Sequence, residues 1–207
     1  MGEYLKDPAA IYAQSFETVR AEAALDRFSP DVADVVVRLI HACGMPGIAA
    51  DIACTDGVVD AGRAALKQGA PILVDANMVA AGIIRRHLDG NEIISTLDAD
   101  GVAEDAKRQG TTRSAAAVER WVPRLEGAIV AIGNAPTALF RLLELIAEGA
   151  PKPAAVLGFP VGFVGAAESK DALADNTLGL EFITLRGRIG GSAIASAAVN
   201  ALAGGLE

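Results

Sequence analysis

From residue 71 onward the chain repeats one pattern five times: a short apolar run, a turn built on Gly, Asp, Asn or Pro, and then a helical stretch. The apolar runs are Pro71-Ile72-Leu73-Val74, Glu92-Ile93-Ile94-Ser95-Thr96-Leu97, Ala128-Ile129-Val130-Ala131-Ile132, Ala154-Ala155-Val156-Leu157 and Phe182-Ile183-Thr184-Leu185. Each is too short for a helix; 71–74 and 128–132 read as buried strands, and 92–97, 154–157 and 182–185 as further strands. Helical patterns follow at 78–86, at 102–109 up to Gly110, from Thr111-Thr112-Arg113-Ser114, after Pro136, at 167–174 and after Ser192. Strand–turn–helix units in succession can bury their strands only in a mostly parallel sheet with helices on both sides. The expected fold is therefore α/β, with a mostly parallel sheet of five strands or slightly more flanked by helices.

Ahead of this lies an α-rich N-terminal arm. Asp7-Pro8 opens one helix, with Tyr12, Phe16, Val19 and Ala23 on one stripe and Ser15 beside it. Ser29-Pro30-Asp31 opens a second by the same logic, and Thr55-Asp56 a third that ends at Gly69. In the second, Val32, Val35, Val36, Leu39, Ile40 and Cys43 form one apolar stripe, and Asp34, Arg38 and His41 a neighbouring one. Gly44 is placed to end that helix. His41 then falls in the last turn, where unpaired carbonyls and the macrodipole favour an imidazolium. Spacing alone leaves two readings open, a core-edge structural histidine and a proton donor.

With 207 residues and 52% apolar content, the chain can bury one sizeable core, so 1–207 is read as a single domain. The net charge of −8, without long basic runs, argues against nucleic acid as a partner. Cys43 and Cys54, beside only two histidines, are too few for a zinc cluster and suit a reducing compartment. No apolar run is long enough for a membrane span and no signal peptide is visible, so the expected location is the cytoplasm.

Ligands of such sheets lie at the carboxyl ends of the strands. The residues there are Asp75, Gly133-Asn134, the glycine-rich 158–165 loop and Arg186-Gly187-Arg188. Glycines let backbone N–H groups turn toward an anion, and Arg113 and Arg188 lie nearby in order. Ordinary tight turns would account for any one of them; together they favour an anion-rich ligand. The 158–165 loop lacks the spacing of a dinucleotide fingerprint, no phosphate-binding loop occurs, and Ser169 reads as a helix-start residue rather than a nucleophile. Asp75 could orient His41 or a substrate nitrogen, or simply cap a turn. His87, in a polar stretch, reads as solvent-facing.

Longer stretches carry more than spacing. Ile40-His41-Ala42-Cys43-Gly44-Met45, Gly69-Ala70-Pro71-Ile72-Leu73-Val74-Asp75 and Thr112-Arg113-Ser114-Ala115-Ala116-Ala117 resemble precorrin-8X methylmutases. So do the runs 130–140, 158–170 and 186–192, and the opening Asp7-Pro8 with Ile11-Tyr12 and Ser15-Phe16. The similarity spans nearly the whole chain; Val74, where relatives often have cysteine, and Pro46-Gly47 after the histidine motif are its visible departures. What the resemblance implies is an isomerase of cobalamin biosynthesis, moving a methyl group from C-11 to C-12 of precorrin-8X to give hydrogenobyrinic acid. It implies no cofactor and no metal, and a homodimer with sites near the subunit interface. His41 falls on the family's catalytic acid, which assists a 1,5-sigmatropic shift. Ser15 and Arg113 fall on substrate contacts; Tyr12, Arg38, Asp75, Arg85, Ser114, Asn134, Thr137 and Arg188 complete the expected substrate-binding set. The run resembles the metal-free branch of the pathway. An alternative from another class is a corrinoid carrier holding hydrogenobyrinic acid for hand-over to the next enzyme. A third, resting on pattern alone, is an isomerase or hydrolase of a phosphorylated metabolite.

Overall fold

The computed structural model of the protein describes residues 4–206. Six strands form one sheet in the order β1-β6-β5-β4-β2-β3. They are β1 (Ile52–Cys54), β2 (Ile72–Val74), β3 (Ile93–Ser95), β4 (Ile129–Ile132), β5 (Ala155–Gly158) and β6 (Phe182–Leu185). The five strands foreseen from the apolar runs are all parallel to one another. The sixth, β1, pairs antiparallel with β6 at one edge.

Side chains alternate across the sheet as a period of two requires. Ile72, Val74, Ile129, Ala131, Ala155, Leu157, Ile183 and Leu185 join one core. Leu73, Val130, Ile132, Val156 and Phe182 join the other. The first core is closed by α2 (Pro30–Cys43), α3 (Val58–Lys67) and α9 (Ser192–Gly204), and the second by α6 (Arg113–Glu119), α7 (Pro136–Ala147) and α8 (Ala166–Ala174). α4 (Asn77–Gly82) packs on α9, and α5 (Val102–Gln109) on α6. Small residues let α9 sit close: a Cβ on Gly82 would strike Ser196, and one on Gly62 would strike Leu202. Of the front helices, α2 is built into the core layer, whereas α1 (Pro8–Glu22) lies outside it and buries only Phe16 and Val19.

Local signals set most boundaries. Asp7 accepts the amide of Ala10 at 2.8 Å, and Thr112 that of Ala115 at 3.1 Å, as caps should. Gly44 ends α2 in the left-handed conformation at φ 70°, its amide reaching Ile40 O at 2.7 Å. Three boundaries differ from expectation. Ser29 makes no side-chain cap bond. Thr55 does not open α3: its hydroxyl bonds the carboxylate of Glu181 and accepts the Phe182 amide, tying β1 to β6, and α3 starts after Gly57. The helix expected over 78–86 stops at Gly82, because the Asn200 side chain accepts the Ile84 amide at 2.8 Å and donates to Gly82 O at 3.0 Å. Arg85–His87 follow as one 3-10 turn.

From β2 the chain passes outward to β3 and then returns to the other side of β2 as β4. The carboxyl ends of β2 and β4 therefore form the switch point of the sheet, where such folds bind ligands.

Candidate functional site

His41 stands in the last turn of α2, and α1 crosses it. The spacing that put Tyr12, Ser15 and Phe16 along one side of α1 brings all three to the imidazole. Ser15 Oγ lies 2.8 Å from His41 Nδ1. The Tyr12 ring is 5.5 Å from the imidazole, centroid to centroid, and Phe16 meets it edge-on at 5.2 Å. With Nδ1 engaged by the hydroxyl, Nε2 is the nitrogen left to face a ligand.

The electrostatics run against the expectation for a helix C-terminus. Partial desolvation of the ring, although the residue as a whole stays exposed, and then the charge of Arg38 one turn earlier hold the His41 pKa below its ordinary value. Arg38 is buried, with Nη1 donating to Gly205 O at 2.9 Å, while Asp34 forms its ion pair with Arg20. Burial and Arg38 thus oppose the macrodipole at this imidazole.

Two cavities open on either side of His41. One, of about 450 Å³, runs between α1 and α2 and is lined by Ser15, Thr18, Val19, Ile40 and Pro46. The other, of about 390 Å³, lies between α2, α4 and α9 and includes Arg38, Met78, Gly82, Ser196 and Asn200. From Met78 the rim continues to the strand ends. Asn77 Nδ2 donates to Asp98 Oδ2 at 2.8 Å, and Arg113 Nη2 reaches Asp98 Oδ1 at 3.3 Å. Behind Arg113, the Thr112 and Thr137 hydroxyls meet at 2.7 Å. A Cβ on Gly133 would collide with Ser192 and Ala195, so the missing side chain lets the β4 turn lie against the start of α9.

The site residues expected from sequence thus fall into separate groups. Tyr12, Ser15, Arg38 and His41 form one. Arg113, Ser114, Asn134 and Thr137 gather at the ends of β3 and β4. Arg188 lies on the loop after β6, its guanidinium carbon 5.6 Å from the Phe163 ring centroid. Arg85 sits apart, exposed on the 3-10 turn. Asp75 needs correction as a substrate contact. It is buried, and its carboxylate accepts the amides of Gly133, Asn134 and Ala135 at 2.8, 2.9 and 2.7 Å. It ties β2 to the turn after β4, and its oxygens are engaged by the backbone with almost no exposed surface left. His87 is not solvent-facing either: its ring is half-buried, and a Cβ on Gly204 would strike it. Sequence reasoning passed over Asn77 and Asp98, although each follows closely on the end of β2 or β3. Among the described residues, no three His, Cys, Asp or Glu side chains converge to hold a metal.

The family model for precorrin-8X methylmutase matches residues 10–204. The chain belongs to the precorrin-8X methylmutase family. Relatives of that name from a Sinorhizobium species and from Pseudomonas aeruginosa are 56% and 55% identical to it; the alignments cover 97% of this chain and 96% of the first, and 98% of both chains for the second. A cobalt-precorrin-8 methylmutase of Priestia megaterium is 38% identical, over 94% of this chain and 87% of its own. The crystal structure of a precorrin-8X methylmutase from Thermus thermophilus superposes with a TM-score of 0.84 at 43% identity, covering 94% of each chain. Within a precorrin-8X methylmutase fold, the surface described above offers an oriented imidazole with one nitrogen free, an aromatic wall, and arginines along the strand ends. No helix among the described residues is long and apolar enough to cross a membrane.

Proposed function

We propose that the protein moves a methyl group from C-11 to C-12 of precorrin-8X, giving hydrogenobyrinic acid, with His41 as the acid. The observation that carries this reading is the Ser15–His41 contact, which fixes the imidazole and leaves Nε2 free between two cavities. Nε2 protonates the macrocycle, and ring C loses electron density. The methyl group then migrates with its bonding pair in a 1,5-sigmatropic shift, and loss of a proton restores the acid. The net change is an isomerisation that needs no oxidant or reductant. General acid assistance supplies about 10²–10⁴-fold, and holding the ring in place supplies more.

The substrate also corrects the electrostatics of the acid. Free His41 is a weak base because of burial and Arg38. A substrate carboxylate arriving beside His41 would oppose the effect of Arg38 and favour the imidazolium when the ring is bound. The metal-free form of the substrate is favoured by the identities: 55% and 56% with relatives named for precorrin-8X, against 38% with the Priestia relative named for the cobalt form. A homodimer is part of the same reading, supported by Phe163 and Val164, which are 85% and 89% exposed. Sedimentation of the purified protein tests it.

The deciding experiment mixes the protein with precorrin-8X and follows the absorption change. Conversion by the native chain, and none by His41→Ala with hydrogenobyrinic acid binding intact, is the expected result. A fully active His41→Ala would overturn the role of the acid. Binding without turnover by the native chain would make the protein a carrier for hand-over instead.

A further inference from the structure

Lys170 is the most deeply buried charged side chain among the described residues, and the proposed chemistry leaves it unused. It lies on the inner face of α8 beside Ala166 and Leu173, with no exposed surface. Among the described residues its Nζ donates to one atom, the carbonyl oxygen of Ile189, at 2.6 Å. Removing an ammonium from water for a single neutral acceptor is costly, and a Met or Leu would fill the same space without that cost. Burial lowers the Lys170 pKa to about 8, which still leaves the ammonium dominant at neutral pH. The charge is therefore retained at a position where packing alone does not ask for it.

What it holds is the loop that carries Arg188. That loop meets the glycine-rich loop after β5 at four points. Gly191 donates its amide to Phe159 O at 2.8 Å, and Gly162 donates to Arg188 O at 3.4 Å. Gly190 lies so close that a Cβ would overlap the carbonyl oxygens of Phe159 and Pro160. The Arg188 guanidinium stacks toward Phe163. The weakest of these bonds is the one to Arg188 itself, and Lys170 grips the next residue from beneath.

We infer that Lys170 is a positioning residue, a buried ammonium that clamps the 187–191 loop to α8 through Ile189 O and so presets Arg188 for a carboxylate of the substrate. This rests on the reading of Arg188 as a substrate contact. A clamp on a binding residue acts on ground state and transition state alike, so it shows in KM rather than kcat.

The test compares Lys170→Met, Lys170→Arg and Arg188→Ala in the full chain, using precorrin-8X turnover, hydrogenobyrinic acid binding and tryptic cleavage at Arg188. Lys170→Met is expected to raise KM and the product Kd about tenfold, with kcat within about threefold of native. It should also speed cleavage at Arg188, and Lys170→Arg should restore both. If Arg188→Ala raises KM and Lys170→Met does not, the clamp is wrong. If Arg188→Ala leaves KM unchanged, the underlying reading of Arg188 is wrong. Should Lys170→Met fail to fold, amide exchange in the ligand-free native protein decides. Protection of Gly162 and Gly191 by about 100-fold or more supports a preset loop, and exchange at unstructured rates overturns it.

Discussion

Ser15 Oγ and His41 Nδ1 lie 2.8 Å apart across 26 residues of sequence, joining α1 to the end of α2. This bond decides which nitrogen of the imidazole can act. When His41 is neutral, the hydroxyl can donate to Nδ1 and place the proton on Nε2; when it is charged, Nδ1–H donates back to Ser15. In both states Nε2 points away from the protein partner.

Ser15→Ala removes that orientation without emptying the core, since Ser15 is only half-buried. The net worth of such a bond is about 1 kcal/mol, equivalent to roughly a five- to tenfold fall in kcat. Single-turnover rates with precorrin-8X should show it with the circular dichroism unchanged. A variant as fast as the native protein would remove Ser15 from the mechanism.

The pH dependence follows from the direction of the His41 shift. An acid must be protonated, so kcat/KM should fall as pH rises through the free-enzyme pKa of His41. That pKa is held below the ordinary value, first by burial and then by Arg38. The descending limb should accordingly lie at more acidic pH than a free histidine would give. Arg38→Gln removes the positive charge and should move both the limb and the proton NMR titration of His41 upward. A downward shift would contradict the assigned cause.

Arg113 should separate binding from stability. Its ion pair with Asp98 is 3.3 Å long, with side chains 56% and 60% exposed. Pairs of this kind contribute roughly 0–1 kcal/mol to folding. Arg113→Ala is expected to change the unfolding free energy by less than about 1 kcal/mol. If Arg113 binds a substrate carboxylate, the same variant should raise KM about tenfold, the effect of about 1.4 kcal/mol. Urea titration and steady-state kinetics on one preparation measure both.

The parts of this fold that could be read in the sequence are those set by local chemistry. Five strands were legible because each is a short, largely apolar run before a turn, and α2 because its stripe ends at Gly44. His41 had an informative address, the final turn, but the sign of its pKa shift is set first by desolvation in the folded chain and then by Arg38. β1 was not legible: three residues at a sheet edge carry too little pattern. The early end of α4 depends on Asn200, 116 residues beyond Ile84, and the late start of α3 on Glu181, 126 beyond Thr55. Such competition for backbone groups leaves no mark in a local window. Asp75 shows the same limit, since strand-end placement could not tell a substrate contact from a cap on a distant turn.

Asp75 provides the complementary case, a residue of the strand ends whose loss should be felt in folding rather than chemistry. Its two oxygens accept three amides from Gly133, Asn134 and Ala135. Burial raises its pKa, and the same backbone bonds pull it down without fully compensating. Asp75→Asn keeps the shape but turns one acceptor into an N–H that faces other N–H groups. Hydrogen bonds to a charged acceptor are worth about 1.5–3 kcal/mol, and a buried unpaired donor costs about 1–3 kcal/mol. The variant should therefore lose roughly 2–4 kcal/mol in urea unfolding. What folds should bind hydrogenobyrinic acid with near-native affinity, because Asp75 is almost wholly buried. Native stability paired with lost binding would return Asp75 to the substrate-contact role.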